Sequence, residues 1–321
     1  YNDGASATQM YFKSDNKVGI GDAPSYPLDV LGIGDQVVRV RSTANSSGND
    51  AIFTAEVAGT SAGDPFIRFN IDNIGAWSLG ADNSDSDKFK ISGLSSVLGT
   101  NDRFVLDANS RISLGNNDSS GATSNTIFGR LAGNAVASGA IDNVLIGNEA
   151  GNDITTGDYL VAIGSFALEK EDVGTSSIAI GASSLGRQNT GSESSANTIG
   201  IGTNAGFYNV TGTNNTLIGT NVAVGADGNS HSDNTAVGSN SMYAVTTGIE
   251  NTAMGKDSLK SITTGQKNVV IGSEAGDAMT IATRSVAIGS RALGAEDVGD
   301  RSIAIGFACL GSQNSDSDNE T

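Results

Sequence analysis

Eleven glycines fall at a nearly constant step through the second half of the chain, and that step limits what the chain can fold into. They are Gly129, Gly147, Gly164, Gly181, Gly202, Gly219, Gly238, Gly255, Gly272, Gly289 and Gly306, each closing a phrase such as NTIFG (125 to 129), NTAVG (234 to 238), NTAMG (251 to 255) or NVVIG (268 to 272). The gaps are 18, 17, 17, 21, 17, 19, 17, 17, 17 and 17 residues. A fixed period of this kind marks a repeat architecture. It is too short for paired-helix repeats, which need about 33 residues or more. It fits one turn of a β-solenoid, with two short strands and two turns per coil. Coils stacked about 4.8 Å apart make eleven of them a rod segment roughly 50 Å long. A longer echo overlies the short one: NVLIGNEAG (143 to 151) returns as NVVIGSEAG (268 to 276), and VAIGSFALEKEDVG (161 to 174) as VAIGSRALGAEDVG (286 to 299), a displacement of 125 residues that indicates block duplication.

Each phrase reads as a strand. The position before the glycine is Ile146, Ile163, Ile180, Ile201, Ile218, Val237, Met254, Ile271, Ile288 or Ile305, and two residues earlier stand Val, Ile or Thr. Period-two alternation puts those positions on one face. The residue between them is usually small, as at Ala162, Ala179, Gly200, Ala236, Ala253, Ala287 and Ala304. A strand apolar on both faces is the mark of a parallel strand covered on both sides. One face fills the coil, and no helical segment exists to cover the other. The expectation is therefore a homo-oligomer whose axis is lined by the small residues. Three positions after the glycine come Ala132, Ala150, Ala167, Ser184, Ala205, Ser241, Ser258, Ala275 and Ala292, with Val222 as an exception and Cys309 in the last coil, so Cys309 reads as a small buried residue. The second half of each coil, with TTGD, TTGI and TTGQ, reads as a solvated outer face. No proline follows Pro65, as continuous backbone ladders require.

Composition agrees with a thin core. Aromatic residues make up 5% of the chain and hydrophobic residues 37%, with 43 glycines. The balance of 18 Lys plus Arg against 35 Asp plus Glu, net −17, argues against nucleic acid and against an anionic membrane surface. No apolar run approaches the roughly 18 residues of a membrane span. One cysteine permits no intrachain disulfide. The chain starts at Tyr1 with no secretory signal or initiator methionine, so the expectation is an excised piece of something longer.

Other solenoids fit less well. A hexapeptide β-helix needs an aliphatic residue every six positions, but Ile146 leads to Asn152 and Asp158, and Ile271 to Asp277 and Thr283. Calcium-binding nonapeptide rolls need Gly-Gly, which is absent. The phrase N-[ST]-[VIT]-A-[IV]-G-x-x-[AS] resembles the head repeat of trimeric autotransporter adhesins over about 125 to 311. That resemblance implies a left-handed parallel β-roll with three chains around one axis. The segments KVGIGDAPSYPLDVLG (17 to 32) and WSLGADNSDSDKFKIS (77 to 92) resemble segments of phage tail fibres and related virion appendages, which also carry this repeat.

The organisation expected is a β-hairpin or connector segment at 1–35, a small antiparallel β module with a closing hairpin at 36–124, the β-roll at 125–311 and a polar tail at 312–321. MYFKSDNKVGIG (10 to 21) and FVLDANSRISLG (104 to 115) each read as strand, Asp/Asn turn, strand. Many virion fibres carry a C-terminal chaperone that cuts itself off, so Thr321 is expected at or near such a cut.

Candidate chemistry is sparse. His231, the single histidine, sits in ADGNSHSDN and reads as an exposed loop residue; one His and one Cys assemble neither a catalytic triad nor a zinc set. Glu171–Asp172 recurs as Glu296–Asp297, but extended neighbours point to opposite sides, so the pair reads as a turn rather than a glycosidase dyad. Asp82, Asp85 and Asp87 form an acidic cluster that reads either as a calcium site or as a solvated turn. Tyr159, Phe207, Tyr208 and Tyr243 stand out in an aromatic-poor array, either as glycan contacts or as packing over turns. No other cofactor is expected. The reading is an all-β homotrimeric fibre, non-catalytic, located on the virion and extracellular. Its partners are its own copies, other virion tail components and a host cell-surface glycan or protein receptor, without nucleic acid or membrane insertion. Two alternatives stand beside it: a bacterial trimeric surface-adhesin head and a tailspike polysaccharide depolymerase.

Overall fold

The computed structural model describes residues 63–71, 75–93, 101–110, 112–114, 124–137, 139–191, 196–295 and 297–312, with 10–12, 18–20, 28–30, 55 and 98. The chain forms two compact units, Tyr1–Ile67 and Arg68–Thr321. In the first, β1 (Met10–Phe12) pairs antiparallel with β2 (Val18–Ile20), the hairpin expected there, and β2 pairs parallel with β3 (Leu28–Val30). Most of 36–62, the start of the expected antiparallel module, lies outside the described residues, as do 313–321 and with them Thr321.

A five-stranded sheet follows in chain order: β4 (Phe66–Ile71), β5 (Gly75–Asp82), β6 (Lys88–Gly93), β7 (Asp102–Leu106) and β8 (Ile112–Leu114). Strands β5 to β8 pair antiparallel, and β7–β8 is the second expected hairpin. The sheet has an unusual polarity. Ser78, Asp82, Lys90 and Ser92 are buried, while Phe69, Trp77, Phe89 and Ile112 stand exposed.

The repeat forms one parallel sheet of eleven strands in chain order, enclosing ten full coils. The strands are β9 (Thr126–Phe128), β10 (Val144–Ile146), β11 (Val161–Ile163), β12 (Ile178–Ile180), β13 (Ile199–Ile201), β14 (Thr216–Ile218), β15 (Thr235–Val237), β16 (Thr252–Met254), β17 (Val269–Ile271), β18 (Val286–Ile288) and β19 (Ile303–Ile305). Register is strict, so Val144 faces Val161, then Ile178, then Ile199. The closing glycine turns the chain sharply: Gly255 has φ +136°, and a Cβ there would sit 2.5 Å from the Gly272 carbonyl oxygen of the next coil. No L side chain fits that approach.

Each coil carries one strand, where the sequence reading expects two. Two and four residues after the glycine the backbone is left-handed, as at Phe166 (φ 60°) and Leu168 (φ 47°), so that side cannot be extended. It still bonds coil to coil: Gly151 N–H donates to Ala167 O (2.9 Å), Asp153 N–H to Glu169 O (3.1 Å) and Thr155 N–H to Asp172 O (2.9 Å). Left-handed Leu168, Leu185, Leu259 and Leu293 each cost on the order of 1 kcal/mol. Full burial of each side chain offsets this.

The two faces of the strand are also the reverse of the expectation. The middle residues, Leu145, Ala162, Ala179, Leu217, Ala236, Ala253, Val270, Ala287 and Ala304, point into the coil and are fully buried. The larger branched residues face outward. The coil is too thin to hold Ile side chains beside Leu168, Leu185 and Leu259, which already fill it. The small residues three positions after the glycine are buried as expected. Cys309 packs against the core but is only half-buried, and among the described residues no further coil lies over it.

The first letter of the phrase has a role that periodicity alone does not reveal. Asn234, Asn251 and Asn268 are buried and stacked. The Asn234 Oδ1 accepts from the Asn251 amide (2.9 Å), the Asn251 Oδ1 from the Asn268 amide (3.1 Å), and the Asn268 Oδ1 from the Ser285 amide (2.9 Å). Their Nδ2 groups donate to Gly248 O, Gly265 O and Ala282 O. Each side chain thus satisfies one amide and one carbonyl that the turn into the strand would otherwise orphan.

Candidate functional site

The acidic cluster already contains a cation from the chain itself. Lys90 Nζ lies 2.8 Å from Asp82, 2.7 Å from Asp85 and 3.0 Å from Asp102. Burial alone would raise the Asp82 pKa, but hydrogen bonds from Lys90 and Ser84 outweigh it and hold it below the usual carboxylate range. Lys88 and Lys90 together lower Asp85 to about 2. Burial opposes the charge on Lys90, yet its three carboxylate partners raise its pKa. Asp87 is exposed on a left-handed turn and does not join the group. The residues read as a calcium site or a solvated turn thus divide: two tie a lysine into the sheet and the third is on the surface. Among the described residues no set of three His, Cys, Asp or Glu side chains could hold a metal ion.

His231 is a correction. It is fully buried, not an exposed loop residue, because it stands three residues before Asn234 in the regular inner column that Gly248 and Gly265 hold before Asn251 and Asn268. Its amide donates to Asn209 Oδ1 (3.0 Å), and its carbonyl accepts from Asn215 Nδ2 (2.8 Å). Burial lowers its pKa to about 4, against an opposing hydrogen bond with the Ala223 backbone. Glu171 is buried as well, accepting from the Gly174 amide (3.0 Å), Gln188 Nε2 (2.9 Å) and Thr190. Its neighbour Asp172 points the other way and accepts from the Thr155 hydroxyl of the preceding coil. The pair is a turn that locks adjacent coils, as its alternation implied, and its carboxylates do not converge. Glu296 lies outside the described residues.

Three of the four singled-out aromatic residues share one face. Phe207 and Tyr243 stand five positions after their closing glycines and Tyr208 six, so they lie in adjacent columns along the rod. The ladder fixes the register: Arg187 N–H donates to Phe207 O, Tyr208 N–H to Val224 O and Gly225 N–H to Tyr243 O. Phe207 and Tyr208 meet edge to face, centroids 4.6 Å apart. The Arg187 guanidinium lies 5.9 Å from each ring centre and 3.7 Å from Asp227. A Cβ at Gly186 would strike the Phe207 ring at 2.8 Å, so the ring rests on bare backbone. Tyr159 is exposed elsewhere, at the left-handed residue before its strand.

Farther along the same columns lies a cavity of about 280 Å³, lined by Glu274, Asp277, Arg291, Gly294, Ala308, Gly311 and Ser312. Arg291 Nε is 2.7 Å from Glu274 there. Burial, with the nearby Glu274 charge, raises the Asp277 pKa.

A further surface feature is the outward face of the eleven-stranded sheet. Ile180, Ile218, Met254, Ile271 and Ile288 are each 36% to 42% exposed, Ile305 66% and Phe128 68%. Three residues wide and eleven strands long, the stripe measures roughly 10 by 50 Å, or about 500 Å². That is at the upper end of the apolar patches that monomers carry. No protein-family model, no curated protein and no solved structure matches the chain.

Proposed function

We propose that the chain is a segment of a homotrimeric attachment fibre of a phage tail, extracellular and non-catalytic, in which three left-handed rolls pack their sheets around a common axis. The observation that carries this reading is the apolar column on the outside of the solenoid sheet, Ile or Val in every strand but β9 and β16, which carry Phe128 and Met254. Exposed on one chain, it costs solubility. Covered by two copies, it becomes a core of in-register branched residues. The five-stranded sheet supports the same reading independently, since Trp77, Phe89 and Ile112 stand exposed on a face that no described residue covers while the opposite face buries ions. A coil-to-coil ladder, an acidic surface and the resemblance of the sequence to virion appendages support a stiff rod that reaches a host surface and joins other tail components.

Sedimentation equilibrium tests the assembly. A particle of three 32.4 kDa chains is expected, and Ile271→Asp with Ile288→Asp should dissociate it. A folded, stable single chain would refute the trimer. Adsorption of the purified protein to bacterial cells, with competition against phage adsorption, tests attachment separately. Release of reducing ends from host polysaccharide would refute the non-catalytic reading.

A further inference from the structure

We propose that the face formed by Phe207, Tyr208 and Tyr243 is a carbohydrate-binding site for neutral hexopyranosides, an inference that rests on the attachment reading and locates its receptor contact. Aromatic rings are scarce in this array, yet three of them occupy adjacent columns within three successive coils, with the smaller, buried Val224 between Phe207 and Tyr243. Two strand spacings put the backbones of Phe207 and Tyr243 about 10 Å apart along the rod. The face of a pyranose presents C–H bonds of slight positive charge, which stack on the negative face of an aromatic ring.

The surroundings point to the same place. The two coils that depart most from the period, 21 residues from Gly181 to Gly202 and 19 from Gly219 to Gly238, flank the Phe207–Tyr208 coil on either side. Insertions in a repeat array gather on the binding face. Arg187, at the regular position six after Gly181, comes from one of these coils and Asp227 from the other, so a donor and an acceptor for sugar hydroxyls border the rings. A few polar groups around aromatic surface is the composition of a small-molecule site. Because Asp227 pairs with Arg187 and the chain carries a net charge of −17, the site suits a neutral sugar better than a uronate or sialate.

The test uses the full chain on an array of neutral hexoside oligosaccharides, with uronate- and sialate-bearing analogues beside them. Tyr208→Leu and Tyr243→Leu keep apolar bulk but remove the ring face, and each should weaken neutral-hexoside binding at least tenfold. Tyr159→Leu should leave it unchanged. Circular dichroism and sedimentation confirm that each variant keeps its fold and assembly. The proposal is overturned if no neutral hexoside binds, if the acidic analogues bind as well as the neutral ones, or if Tyr159→Leu weakens binding as much as the others. Adhesion to cells without hexoside binding would sink this site and leave the attachment reading standing. Hexoside binding without cell adhesion would do the reverse.

Discussion

From Asn234 to Met279 the solenoid is regular. Its coils are 17 residues long, the asparagine ladder is unbroken, and the interior position seven residues after the glycine is Val245, Ile262 or Met279. Between Leu160 and His231 the same backbone carries a different interior. Leu160, Ser177 and Thr198 take three ladder positions before Asn215 resumes the ladder, while Glu171, Gln188 and Asn209 occupy the column held by Ile154, Val245, Ile262 and Met279 in other coils. Both long coils begin within this stretch, and Phe207 and Tyr208 sit on its surface, with Tyr243 on the first of the regular coils. The difference shows that the strand and its glycine set the coil, while the interior can be filled with either apolar or hydrogen-bonded side chains. The polar version ties neighbouring coils through side chains, as Glu171 accepts from the Thr190 amide and Asn209 from the His231 amide.

Three experiments break or sharpen this contrast. The largest effect belongs to the feature both regions share. Gly202→Ala and Gly255→Ala each force a Cβ toward the next coil's carbonyl at positive φ, and each should cost about 3 kcal/mol or more in urea unfolding. Markedly unequal costs would show that the two backbones differ after all.

Mild acid should act on the irregular region through His231. His231 stays neutral in the fold down to about 4, while in the unfolded chain it titrates near 6.5. In that window the unfolded state binds more protons, so stability is full above about 6.5 and is lost as pH falls toward 4, on the order of 3 kcal/mol. Thermal melts across this range should show the loss, and His231→Asn should flatten it. An unchanged slope in the variant would place the acid sensitivity elsewhere.

The smallest effect tests the ladder of the regular region. Asn251→Ala strips the Asn268 amide and the Gly265 carbonyl of their partners and should cost about 2 kcal/mol. Asn251→Ser, the residue at Ser285 and Ser302, should recover roughly half of that. Equal losses for Ala and Ser would mean that packing, not hydrogen bonding, holds this column.

Much of the candidate site was partly legible in the sequence. Phe207, Tyr208 and Tyr243 stand out by rarity, and counting from the closing glycine puts them in neighbouring columns. The asparagine ladder was visible as the repeated first letter of NTAVG, NTAMG and NVVIG, but its role needed the turn that buries it. Lys90 could not be assigned to Asp82 and Asp85 from spacing, because strand pairing brings it there from across a hairpin. His231 reads as loop by its polar neighbours, yet counting back seven from Gly238 puts it in the column of Gly248 and Gly265, whose burial only the structure shows.

The sequence by itself determined the period, the strand before each glycine, the glycine turn and the parallel register, because all of these repeat along the chain and follow from local backbone geometry. Only the tertiary structure decided which strand face points inward. Alternation says that every second residue shares a side, and it is silent on which side is the inside. The width of the coil settles that, and the width depends on Leu168, Leu185 and Leu259 arriving from the far side of the same turn.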